Sequence, residues 1–188
     1  MKKFITQLEE NFKEFPDRIA IKSALKPKGI SYKELDLYSA KVYSYLKKTG
    51  IGKEDFVLVC MPRGVRAIVC AIGVIKAGAA FTIVESTYSA DRIEFIKKDC
   101  NCKIIIDEEK YSEMMDLEPL FGHEEVDPHD ACFAVYTSGS TGNPKGVVHN
   151  FAAMSAVATR NAAHDQAETV EKNDEVSLWV NPTKLSET

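Results

Sequence analysis

The chain has 188 residues, 24 Lys and Arg against 28 Asp and Glu, a net charge of −4, and 45% hydrophobic residues. That composition predicts a soluble globular body of about one domain, without the basic footprint of a nucleic-acid binder or of a protein that binds an anionic membrane surface. Met1-Lys2-Lys3 runs at once into Thr6, Gln7, Glu9 and Glu10, so no secretory core develops, and the longest apolar stretch, 67–75, falls far short of the ~20 residues of a membrane span. Cys60, Cys70, Cys100, Cys102 and Cys132 are an odd set, mostly within or beside apolar runs. They predict reduced core thiols and a cytoplasmic setting. Cys100-Asn101-Cys102 lacks a second Cys/His pair at zinc-like spacing and is discounted as half a metal site.

In chain order, Ile5, Leu8, Phe12 and Phe15 recur at steps of three and four and predict an amphipathic helix over 3–15, stopped by Pro16-Asp17. Residues 19–24 alternate as a strand, 26–29 read as a turn, and 30–32 as a short return strand. Ser31-Tyr32-Lys33-Glu34 has capping-box spacing. It opens a helix carrying Leu35, Tyr38, Val42, Tyr45 and Leu46 on one face, ended by Gly50 and Gly52.

Residues 56–60 are continuously apolar, which suits a strand covered on both faces. Residues 65–77 form a helix that is apolar nearly all round, hence buried. Residues 80–84 are the next strand. This βαβ unit predicts parallel pairing with a right-handed crossover. Ser89 is positioned to cap a helix over 90–98, with Asp91 in its first turn. Residues 102–107 form another apolar strand. The stretch 107–130 carries ten acidic residues and one lysine, together with Pro119, Gly122 and Pro128. It reads as a solvated surface connection with at most one short helix. Residues 151–163 have helical character, 164–175 are polar, and 176–180 read as a strand.

Between two apolar runs, 132–136 and 147–148, lies Thr137-Ser138-Gly139-Ser140-Thr141-Gly142-Asn143-Pro144-Lys145-Gly146. Glycines let backbone N–H groups close on an anion, hydroxyls add donors, and a lysine supplies a point charge. This is a strand–loop–strand phosphate cradle. It is not a Walker A loop: Pro144 and Gly146 stand where that pattern requires Gly and Ser or Thr, and a strand follows instead of a helix. A Rossmann fingerprint is also absent. His149 is assigned to surface or packing, and Gly146 to a turn.

Tyr136 through Val148 resembles the signature loop of the adenylate-forming superfamily, which includes acyl-CoA synthetases, luciferases and non-ribosomal peptide synthetase adenylation domains. Residues 30–35 (I-S-Y-K-E-L) and 75–84 (I-K-A-G-A-A-F-T-I-V), continued by A-D-R-I at 90–93, resemble two further blocks in the right order. Ile83 and Glu85 depart from that family's proline and aspartate. The resemblance is clearest over 8–150 and weaker over 151–188. It implies that residues 1–188 are part of an N-terminal adenylation domain, an α/β fold with a layered parallel or mixed sheet and flanking helices.

The resemblance also implies a reaction. A carboxylate attacks the α-phosphate of ATP, in the presence of Mg²⁺, to give an acyl-adenylate and pyrophosphate, and a coenzyme A or carrier-protein thiol then takes the acyl group. By position, Thr137, Ser138, Gly139, Ser140, Thr141 and Gly142 would wrap the β- and γ-phosphates, with Lys145 supporting the loop or the phosphates. The acyl pocket, the adenine- and ribose-binding residues, the magnesium-binding glutamate and the mobile C-terminal domain of that family lie downstream of its phosphate loop. No catalytic residue is therefore assigned, and this chain is expected to be a truncated ligase with weak or no activity by itself. The alternatives are a standalone ATP- or pyrophosphate-binding module and a non-catalytic interaction fragment. An incomplete body is expected to leave helix 65–77 and strand 56–60 partly uncovered and to self-associate through them.

Overall fold

A computed structural model describes residues 4–23, 26–137 and 144–158. The chain opens with helix α1 (Phe4–Glu14), buried through Ile5, Leu8 and Phe12 at the predicted spacing. Strands β1 (Ile19–Ser23) and β2 (Lys26–Ser31) form an antiparallel hairpin. The turn expected at 26–29 is instead part of β2. Gly29 there has φ +62°, and a Cβ on it would meet the Ile21 carbonyl oxygen at 2.3 Å. It marks an irregularity inside the ladder rather than the end of the strand.

Ser31 caps α2 (Tyr32–Lys48): its hydroxyl accepts from the Glu34 N–H, and the Glu34 carboxylate accepts from the Ser31 N–H at 2.8 Å. Strand β3 (Phe56–Cys60), helix α3 (Val65–Lys76) and strand β4 (Ala80–Val84) form the predicted βαβ unit, with β3 and β4 parallel. Helix α4 (Ala90–Asp99) starts at Ser89, whose hydroxyl accepts from the Arg92 N–H. Strand β5 is shorter than expected (Ile104–Ile106), because Cys102 and Lys103 are spent on the turn that enters it. Helix α5 (Glu108–Met115) is capped by Asp107. Strands β6 (Ala131–Thr137) and β7 (Lys145–Asn150) close the sheet, and residues 151–158 are helical. The strand expected at 176–180 lies outside the described residues.

The five-stranded sheet has the order β5-β3-β4-β6-β7, parallel except for the antiparallel β6–β7 pair. Helices α1, α2, α3 and α5 share one core with Val57 and Val59 on one face of the sheet. On the other face Ile96 of α4 packs with Leu58 and Val84. This is the predicted layered α/β architecture with a mixed sheet.

Two expectations are corrected. Helix α3 and strand β3 are covered: Val57, Leu58, Val59, Val69, Cys70 and Val74 are fully buried. Helix α2 packs on α3, and β3 lies between the core that contains α3 on one face and Ile96 of α4 on the other. The acidic stretch is also more than a solvated connection. Glu124 accepts from Tyr43 and pairs with Lys47, its backbone N–H donates to the Lys76 carbonyl at 2.8 Å, and His123 pairs with Glu9 at 2.8 Å. Its side chains fasten the segment to α1 and α2 and its backbone fastens it to α3, while Met114 and Val126 are buried.

Candidate functional site: the β6–β7 hairpin

The hairpin is built from the strand outward. Ala131 begins β6 with its N–H bound to the Glu54 carboxylate at 3.0 Å. The ladder then runs Phe133 opposite His149, Ala134 opposite Val148, Val135 opposite Val147, Tyr136 opposite Gly146 and Thr137 opposite Lys145. The last pair forms the mouth of the loop 138–144. It sets a hydroxyl and an ammonium, both exposed, opposite each other at the end of the ladder. Of the predicted cradle, Thr137 and Lys145 are thus brought together. Ser138, Gly139, Ser140, Thr141 and Gly142 lie outside the described residues.

Two neighbours stiffen the base of the hairpin. The Tyr136 hydroxyl donates to the Asp99 carboxylate at 2.7 Å, tying β6 to the end of α4. Burial and these neighbouring acidic groups push the Tyr136 phenol above its ordinary value, so it stays a neutral donor. Gly146 is a strand residue and not the turn glycine expected: a Cβ there would come 2.8 Å from Tyr136 Cζ. The absent side chain makes room for the ring. Both roles escaped the sequence reading, although an aromatic hydroxyl one residue before the polar loop and a glycine one residue past its lysine were the available signals.

Phe133 stacks on Phe81 at 5.8 Å and on His149 at 4.7 Å, which fixes the hairpin against β4 and gives His149 the packing role predicted for it. The strand that follows the loop is the context that separates it from a Walker A motif. Glu85, one of the departures from the resembled block, pairs with Arg63, and Ile83, the other, is exposed.

The profile of the AMP-binding enzyme family matches residues 8–184. The chain belongs to that family, the adenylate-forming superfamily. Its relatives include the nonribosomal peptide synthetase apmB of Penicillium brevicompactum, 35% identical over 72% of this chain and 6% of that protein. Tyrocidine synthase 1 of Brevibacillus parabrevis is 30% identical over 78% of this chain and 15% of that protein.

Two solved structures share the fold. The inhibitor-bound N-terminal domain of FACL13 from Mycobacterium tuberculosis superposes with a TM-score of 0.73 at 22% identity, over 91% of this chain and 48% of that one. The Klebsiella oxytoca NpsA N-terminal subdomain, in complex with 3-hydroxyanthranilyl-AMSN, gives 0.70 at 20% identity, over 80% and 41%. The chain therefore spans less than half the length of each of these proteins.

Proposed function

We propose that this chain carries the ATP phosphate-binding hairpin of a carboxylate-activating ligase. The observation that supports this most directly is the antiparallel register that sets Thr137 opposite Lys145 at the mouth of a loop rich in glycine and hydroxyls. In the proposed reaction a carboxylate oxygen attacks the α-phosphorus of ATP. The bond to the bridging oxygen of pyrophosphate breaks, and an acyl-adenylate forms. Negative charge grows on the departing pyrophosphate. Donors held around it stabilise that charge more in the transition state than in the ground state.

Thr137, Ser138, Gly139, Ser140, Thr141 and Gly142 supply hydroxyls and backbone amides for the β- and γ-phosphates, and Lys145 supplies the cation. Mg²⁺, when bound, neutralises part of the phosphate charge.

Kinship with peptide synthetases supports an amino acid or another carboxylic acid as substrate, and a carrier-protein or coenzyme A thiol as acceptor. Residues 1–188 then form part of an N-terminal adenylation domain, with the carboxylate pocket contributed by sequence of the kind that makes its relatives longer. Free thiols at all five cysteines support a reducing, cytoplasmic setting. Among the described residues no helix is long and apolar enough to cross a membrane.

The closed core around α3 favours a second reading, a body able to hold ATP or pyrophosphate without turning it over. Carboxylate-dependent exchange of labelled pyrophosphate into ATP tests whether this chain activates a carboxylate by itself. The expected result for this chain alone is nucleotide binding without exchange. Exchange by this chain alone would show that it contains a complete activating site.

A further inference from the structure

The β6–β7 hairpin is anchored firmly at one end and lightly at the other. At its inner end the Ala131 N–H bonds Glu54 at 3.0 Å, the Phe151 N–H bonds the Asp130 carbonyl at 3.1 Å, and Phe133 stacks on Phe81. The parallel ladder to β4 has one registered pair, Phe81 with Phe133. Beyond it β6 continues to Thr137 with β7 as its ladder partner. Packing covers little of this outer end. Val135 and Val147, paired on one face, are exposed. On the opposite face, the one that strand alternation gives to Tyr136 and Gly146, a cavity of about 310 Å³ lies between Ala134, Tyr136, Gly146 and Val148 of the hairpin and Phe56 and Asp99 of the body. Tyr136 is the residue that crosses to the body. Its ring packs on the cluster of Leu58, Val84 and Ile96, and its hydroxyl donates to the Asp99 carboxylate at 2.7 Å. Asp99 is exposed and is the last residue of α4, where the negative end of the helix dipole disfavours a carboxylate. Helix stability does not account for an acid there; the bond to Tyr136 gives it a use.

We propose that Tyr136 and Asp99 are a positioning pair that holds the outer end of the hairpin at the angle from which Thr137 and Lys145 meet phosphate, Asp99 acting through the Tyr136 hydroxyl. Thr137 follows Tyr136 directly. Lys145 precedes Gly146, whose missing Cβ makes room for the ring. The bond therefore acts one residue away from each end of the described ladder. With the bond in place the outer end is ordered before a nucleotide arrives. Without it, nucleotide binding must supply that ordering, and affinity falls by the corresponding amount. The inference rests on the reading that this hairpin binds the phosphates of ATP, and it adds to that reading two residues that do not touch the nucleotide.

The test is a double-mutant cycle read by titration calorimetry of the full chain with Mg-ATP, with melting curves and circular dichroism alongside. Tyr136→Phe keeps the ring and removes the hydroxyl. Asp99→Ala removes the acceptor at a helix end where losing a carboxylate does not weaken the helix. Each single variant is expected to fold as the wild type does and to lose about three- to tenfold in affinity, bounded by the worth of one hydrogen bond to a charged group. The double variant is expected to lose no more than either single one, because the two residues act as one unit. Asp99→Asn, whose side-chain carbonyl still accepts, is expected to recover most of the affinity that Asp99→Ala loses. Wild-type affinity in both single variants, or losses that add in the double variant, would overturn the pair while leaving the reading of the hairpin intact. A lower melting temperature at unchanged affinity would mark the bond as merely structural and overturn it equally. No heat from the wild-type chain at millimolar Mg-ATP would overturn both. Should Tyr136→Phe fail to fold, the comparison of Asp99→Ala with Asp99→Asn decides the matter.

Discussion

Tyr136 and Gly146 show how single residues set the hairpin. The phenol is held at its far end by Asp99, so the ring cannot swing away from a side chain placed opposite it. A Cβ at position 146 would meet ring atoms at 2.8 and 3.1 Å. Overpacking of this kind costs about 1–3 kcal/mol. Gly146→Val is therefore expected to lower stability by about that amount in urea unfolding, and the further change Tyr136→Ala is expected to recover part of the loss. If the two changes simply add, the ring is not the obstacle. Neither role follows from residue type. A glycine just past a loop reads as a turn residue until the register places it in a strand beneath an aromatic ring. Thr137 and Lys145 were legible as members of a phosphate cradle because hydroxyl, glycine and lysine chemistry is written in the sequence; that they face each other across a ladder is not.

At the scale of elements, periodicity carries most of the information. Ser31 and Glu34 announced the start of α2, Ser89 that of α4, and the apolar runs at 56–60 and 80–84 their buried strands, because capping and burial depend on neighbours close in sequence. What brings elements together was hidden. Lys76 in α3 is fully buried and pairs with Asp36 in α2 at 2.6 Å, with its ammonium 5.0 Å from the centre of the Phe12 ring of α1. Burial holds the Lys76 pKa below the ordinary lysine value, and Asp36 opposes that shift. Removing one partner of a buried pair strands the other charge, at a cost of about 3–5 kcal/mol. Asp36 keeps about a quarter of its side-chain exposure, so Asp36→Ala is expected near the low end, about 3 kcal/mol, with Lys76→Met costing less. The sign of the pH effect follows. A lysine whose folded pKa is depressed penalises the fold while both states are protonated, and the penalty fades as pH rises through the folded value toward the unfolded one. The Asp36→Ala chain should therefore gain stability relative to wild type between neutral and alkaline pH in urea titrations. A constant difference across that range would mean that losing Asp36 does not lower the folded Lys76 pKa any further. The acidic segment was misread for the same reason: Glu124 and His123 act on Tyr43, Lys47 and Glu9, contacts that no local pattern reveals.

For the whole molecule, the apolar surface is displaced from where composition and length suggested. Helix α3 is enclosed. Of the seven exposed large hydrophobic residues among the described ones, Phe15, Leu120 and Phe121 lie elsewhere, and four sit on the β4–β6–β7 end of the sheet: Ile83 at 40%, Val135 at 36%, Val147 at 50% and Val148 at 57% exposure. β7 is the outer strand of the described sheet, and an unprotected edge with apolar neighbours invites pairing with another chain. Self-association through this end is accordingly proposed, and light scattering across a concentration series checks it. A mass that rises with concentration and falls back in Val147→Lys/Val148→Lys is expected; a constant monomer mass would count against it.

The central claim is that the β6–β7 hairpin grips the phosphates of ATP, and titration calorimetry with Mg-ATP tests it most directly. The wild-type chain should give a saturable heat. Thr141→Ala/Lys145→Ala should keep its circular dichroism and melting profile while losing about tenfold or more in affinity, the scale of one or two hydrogen bonds to a charged group. No heat and no melting shift at millimolar Mg-ATP, or equal affinity in the double variant, would contradict the account.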